Sequence, residues 1–181
     1  MAEDSNIDEK LFMLIMRANI NGKASTIIDT FSGWLIGGFG AAATLFITQT
    51  KSIQEHITIC GIQWFLYLFL AALLLAIIQK FIAVMVGSNS MGGLVGYELI
   101  KEFKENGIIP DQDFIFNETE KGMLPCFRWY ASKVFNAART GDILSSSRNF
   151  TKLCQAQGVL ALLQAIITFS AICIIASAFH A

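Results

Sequence analysis

ITICGIQWFLYLFLAALLLAIIQ, residues 57–79, carries no charged side chain, and its second half is almost wholly Leu, Phe, Ala and Ile. At a rise of about 1.5 Å per residue, about 20 such residues in a helix match the roughly 30 Å hydrocarbon core of a bilayer. Lipid offers the backbone no hydrogen-bond partner, so an isolated span must be helical. A soluble core helix would show a polar stripe, whereas from Ile62 to Ile78 only Gln63 and Tyr67 interrupt the apolar run. The stretch predicts a transmembrane helix over 57–80. Lys80, following a run that already fills the bilayer, is expected to extend its ammonium to the headgroups, the alternative being a charged gate inside a helix bundle.

Two further windows have the same character. Residues 30–50, TFSGWLIGGFGAAATLFITQT, are uncharged and long enough to span. Gly33 and Gly37 form G-x-x-x-G, Ala41 extends that stripe at four-residue spacing, and Gly40 and Thr44 make a parallel one. A helix without side chains there lets a neighbouring backbone come close, so that dispersion replaces the hydrophobic drive lipid cannot supply. The neighbour is either a second copy of the chain or another span of the same chain, and the motif alone does not choose. No strand precedes and no lysine follows these glycines, so they are not a phosphate loop.

The third window, residues 153–179, is also uncharged throughout. In it Gln157, Ala161, Gln164, Thr168 and Ala171 recur at alternating four- and three-residue intervals, which places them on one helix face. Amides in hydrocarbon cost free energy unless bonded, so Gln157, Gln164 and Thr168 are expected to point into the bundle, toward another subunit, or toward water. Interhelical packing and a pore lining are the two readings of that face. The expected fold is an all-α integral membrane protein with three transmembrane helices and a cytoplasmic helical insertion between the second and third.

The remaining chain supplies the flanks. Residues 1–29 read as an amphipathic cytoplasmic helix: Asn6 and Glu9 resemble a capping box, and Leu11, Leu14, Ile15 and Ala18 follow at helical spacing as far as an expected stop at Gly22. It is expected to pack on the protein's own cytoplasmic part. That part is residues 81–152. It opens with GSNSMGGLVG, residues 87–96, whose glycines and serines suit a hinge. A helix over YELIKEFKENG is expected to stop at Gly107, and the stretch around Pro110 and Pro125 reads as loop or short extended structure. Asp111 and Asp113 begin like a calcium loop, but Phe114, Ile115 and Phe116 stand where such a loop needs polar residues or glycine. CFRWYASKVFNAART then reads as a helix, broken by the following TGD. Arg128, Trp129 and Tyr130 have the chemistry of headgroup-level anchors, as does Lys80; an ordinary buried face is the competing reading.

Charge sets the orientation. Of the 13 Lys and Arg, three precede the first span (Lys10, Arg17, Lys23), eight lie in 81–152, Lys80 borders that segment, and Lys51 alone falls on the other side. The positive-inside rule then gives a multi-pass protein of the plasma membrane, or the inner membrane of a bacterium, with its N-terminus cytoplasmic and its C-terminus outside. The sequons at Asn117 and Asn149 would face the cytoplasm unmodified. The opening MAEDSNIDEK lacks the basic-then-apolar order of a cleavable signal, so the first span is expected to direct insertion.

Composition narrows the function. Hydrophobic residues make up 54% of the chain and charged residues only 15%, against about 25% charged in soluble proteins. A net charge of −1 offers no basic face for nucleic acid. Cys60, Cys126, Cys154 and Cys173 have no paired spacing and no nearby histidines, so no metal site is expected. His56 and His180, the only histidines, fall on the outer side, away from the charged segment. No catalytic residue set and no cofactor is expected. Two classes remain: a membrane subunit anchoring a cytoplasmic module that binds a protein partner, self-associating through the small-residue stripe, or an oligomeric channel or pore-forming effector lined by the third span. In a chain whose own cysteines are serine, Glu120→Cys is expected to resist a membrane-impermeant maleimide in intact cells and to react once they are permeabilised. Labelling from outside would reverse the orientation.

Overall fold

The computed structural model describes residues 2–49, 58–107, 110–142 and 144–178. These form five helices: α1 (Ala2–Thr48), α2 (Ile59–Glu105), α3 (Gln112–Lys121), α4 (Pro125–Arg139) and α5 (Leu144–Ala178), with no strand among the described residues. Three of them contain stretches long and apolar enough to cross a membrane, Glu9–Thr48, Ile59–Gly93 and Leu144–Ala178. By contacts the chain divides into two units, one of residues Met1–Gly22 with Gly87–Lys152 and the other of Lys23–Val86 with Leu153–Ala181, so the divisions fall inside α1, α2 and α5.

The second unit is a three-helix bundle. Ser25 bonds Gln157 and Ser32 bonds Gln164, so α1 and α5 run parallel. Gln79 meets Gln164 at the level of Ser32, while Phe65 meets Phe39 farther along α1, so α2 runs antiparallel to both. From Cys154 on, the buried positions of α5, Cys154, Gln157, Ala161, Gln164, Thr168, Ala171 and Ile175, alternate by three and four. That is the seam of a coiled-coil-like packing, in which side chains of one helix enter the spaces of the next. One end of the core is aromatic: Phe39 and Phe65 meet edge to face with ring centres 4.9 Å apart, and Phe46 meets Phe65 at 4.8 Å. Trp34, Trp64, Leu70, Leu74, Ile166 and Phe169 point outward, each more than half exposed. Large apolar side chains outside and amides inside invert the soluble pattern and suggest membrane association.

In the first unit, residues through Gly22 of α1 pack with the segment from Gly87 to Lys152. The expected helix stop at Gly22 does not occur, nor does the hinge over 87–96; α1 and α2 run straight through both. Two of the glycines there, Gly22 and Gly93, lie against a neighbouring helix. A Cβ on Gly22 would lie 2.5 Å from Ser90 Oγ and 2.9 Å from its Cβ, and one on Gly93 would touch the Ala18 Cβ at 3.5 Å. Gly107 and Gly141, by contrast, do end helices: their φ values of 67° and 88° are ones that side-chain-bearing residues rarely adopt.

A second difference is α3, which occupies the stretch read as loop. Asp111 caps it, its carboxylate accepting from the Phe114 amide at 3.1 Å, so the spacing that resembled a calcium loop is the start of a helix. Phe116 of α3 stacks on Phe135 of α4 at 4.6 Å, and Arg139 bridges from α4 to Asp113 at 2.8 Å and Asn117 at 3.0 Å. Gly22→Ala is expected to destabilise the protein by about 1–2 kcal/mol, because overpacking of about 1–3 kcal/mol exceeds a helix-propensity gain of at most about 1 kcal/mol. Gly93→Ala makes only an ordinary contact and is expected to be neutral or stabilising. Thermal unfolding of both variants in detergent checks the pair.

Candidate functional site

The polar residues of the bundle form a ladder. Its first rung in the bundle is Ser25 Oγ donating to Gln157 Oε1 at 2.7 Å, with Gln157 Nε2 returning a bond to the Ser25 carbonyl at 3.3 Å. One heptad on, Ser32 Oγ donates to Gln164 Oε1 at 2.7 Å and Gln164 Nε2 donates to the Ser32 carbonyl at 3.2 Å. Gln79 of α2 adds a third bond to Gln164, its Nε2 donating to Oε1 at 2.8 Å, so this rung ties all three helices. Thr168 Oγ1 donates to the Gln164 carbonyl one turn above. Gln79, Gln157 and Gln164 have no exposed surface. A serine one turn from an apolar stretch is short enough to let a glutamine reach its backbone as well as its hydroxyl, which is why the rungs are reciprocal pairs.

Beside the upper rung, Lys80 Nζ bonds Asp29 Oδ2 at 2.7 Å. The lysine side chain is 59% exposed and the aspartate 26%, so the pair lies at the edge of the bundle and contributes little by itself. Lys80 therefore reaches outward while binding a partner on α1, and is not aimed into the seam.

The small-residue stripe has two halves with different surroundings. A Cβ added at Gly33 or Gly37 meets nothing within 4 Å, and Ala41 is exposed. Gly40 lies against the Phe69 ring at 3.8 Å, and exposed Thr44 returns its hydroxyl to the Gly40 carbonyl. Gly40 thus takes part in packing within the chain, while Gly33, Gly37 and Ala41 face outward.

The expected headgroup anchors of α4 also separate. Arg128 caps the C-terminal end of α3, with Nε on the Glu120 carbonyl at 3.0 Å and its terminal nitrogen on that of Met123 at 3.4 Å. Trp129 is largely exposed, and Lys133 Nζ sits 6.0 Å from its ring centre. The Tyr130 side chain lies outside the described residues, as do His56 and His180. Arg128, Trp129, Ser132 and Lys133, with Glu120 and Pro125, line an open groove of about 730 Å³. Among the described residues no three His, Cys, Asp or Glu side chains come together as metal ligands would.

Ser25, Ser32, Asp29 and Gln79 carry half of this polar seam and are not conspicuous in the sequence. Their signal is periodic: Ser25, Ser32 and Phe39 repeat by seven as buried positions of α1, and Gln79 repeats by seven from the buried Ala72.

These features define an all-helical chain with three helices apolar enough to span a membrane and a hydrogen-bonded polar seam between them. No family model, curated protein or solved structure matches it. Gln164→Leu, which breaks three bonds, is expected to cost about 1–3 kcal/mol of stability and Gln157→Leu, which breaks two, less by about 0.6 kcal/mol. Unfolding curves in detergent would show the order, and equal losses would deny Gln164 its role as hub.

Proposed function

We propose that the protein is a non-enzymatic, multi-pass subunit of the plasma membrane, or of the inner membrane in a bacterium, whose bundle anchors a helical module that binds a protein partner. Copies of the chain associate through Gly33, Gly37 and Ala41. In this reading the module built around α3 and α4 faces the cytoplasm, as does the N-terminus, because most Lys and Arg side chains belong to those segments.

One contrast carries the proposal: the seam amides are engaged within the chain, while no described residue lies within 4 Å of a Cβ added at Gly33 or Gly37. The pore reading needs Gln157, Gln164 and Thr168 to line a path. All three are buried and bonded to neighbouring backbone or side chains, which favours helix packing as their role. A helix surface stripped of side chains and left facing lipid gains little there, since lipid tails pack no better on glycine than on leucine. A second helix brought to backbone distance gains dispersion contacts and weak Cα–H to carbonyl bonds.

Self-association is tested by Gly37→Ile, which puts a branched side chain into open space and so leaves the monomer intact. Light scattering of the full chain in detergent is expected to show an oligomer for the wild type and a smaller particle for the variant. Unaltered size would end the oligomer reading.

A further inference from the structure

The upper rung contains an unpaired oxygen whose identity is fixed by its neighbours. Gln164 cannot flip, because its Nε2 donates to the Ser32 carbonyl, an atom that only accepts. Its Oε1 therefore faces the other way and takes both the Ser32 hydroxyl and Gln79 Nε2. Gln79 cannot flip either, since that would set oxygen against oxygen. Gln79 Oε1 is left inside a side chain with no exposed surface, and no described residue donates to it.

A second such atom belongs to the partner of the next residue on α2. Lys80, the next residue on α2, bonds one oxygen of Asp29, and the other, Oδ1, is buried without a donor. Asp29 stands one turn before Ser32 on α1 and Lys80 follows Gln79 on α2, so the residues that carry the two oxygens flank the upper rung.

The chemistry of what completes this junction follows from what it lacks. Two acceptors are open, so the partner must bring two donors. The Asp29 charge is already balanced by the Lys80 ammonium, so the partner is neutral, and a metal cation would be set beside another cation. It must also be small. We infer that a buried water molecule bridges Gln79 Oε1 and Asp29 Oδ1, joining the edge ion pair to the Gln164 hub as one hydrogen-bonded network. Buried waters characteristically serve such otherwise unsatisfied groups with two to four bonds each. The partly exposed Asp29 side chain gives it an entry from the bundle edge.

The test is water-edited solid-state NMR of the full chain, labelled at glutamine with ¹³C and reconstituted in phosphatidylcholine vesicles. Gln157 and Gln164 are internal references, because each has its side-chain oxygen satisfied by protein donors. Polarisation from water is expected to reach the Gln79 side-chain carbonyl faster than either reference, with the Gln79 signal assigned by its loss in Gln79→Met. In Asp29→Leu, which removes the second anchor, the Gln79 advantage is expected to disappear. Build-up at Gln79 no faster than at Gln157 and Gln164 in the wild-type chain would overturn the inference, and an advantage untouched by Asp29→Leu would overturn the bridge.

Discussion

An amide surrounded by hydrocarbon has to be bonded, and in this chain that requirement is met at Gln164, where one side chain joins α1, α2 and α5. Apolar contacts tell one register of such a bundle from another only weakly, because Leu, Ile, Ala and Phe meet each other acceptably at many offsets. Polar pairs do not tolerate an offset. A slip of one residue turns a helix by about 100°, carrying Ser32 away from Gln164 and leaving three partners without bonds in a medium that supplies none. The rungs Ser25 with Gln157 and Ser32 with Gln164 fix the same offset between α1 and α5 twice over. The aromatic end around Phe39, Phe46 and Phe65 then fills space in a register already set.

With its polar groups turned inward, the bundle presents Trp, Leu, Ile and Phe side chains outward. The exception on that outer surface is the run from Gly33 through Gly37 to Ala41, where α1 is bare. Two kinds of small residue thus do different work on the same helix. Gly22, toward its start, is small because Ser90 of α2 stands where a Cβ would be; Gly37 is small with no neighbour among the described residues to require it.

Much of this was legible in the sequence. The uncharged windows located the three apolar helices, and the three-and-four spacing of Gln157, Ala161, Gln164, Thr168 and Ala171 marked the face of α5 that is buried. Single residues with two physical meanings were not legible. Gly22 and Gly93 signal a break when read locally, but each lies inside a helix against a neighbouring one, and only the partner helix distinguishes the cases. Asp111 likewise suits a loop or a helix cap, and here it caps a helix whose Phe116 stacks on Phe135 of α4. Ser25, Ser32 and Asp29 were hidden because serine and aspartate stand out in an apolar helix only when the residues they bond are known.

The parallel pairing of α1 with α5 also sets an order on biosynthesis. The serine and the glutamine of each rung are separated by more than a hundred positions along the chain. While a ribosome is still completing the chain, Ser32 and Gln79 are already made and have no Gln164 to receive them. The last helix to emerge is the one that satisfies the first two, so the nascent protein passes through a stage in which its own hydroxyls and amides lack partners.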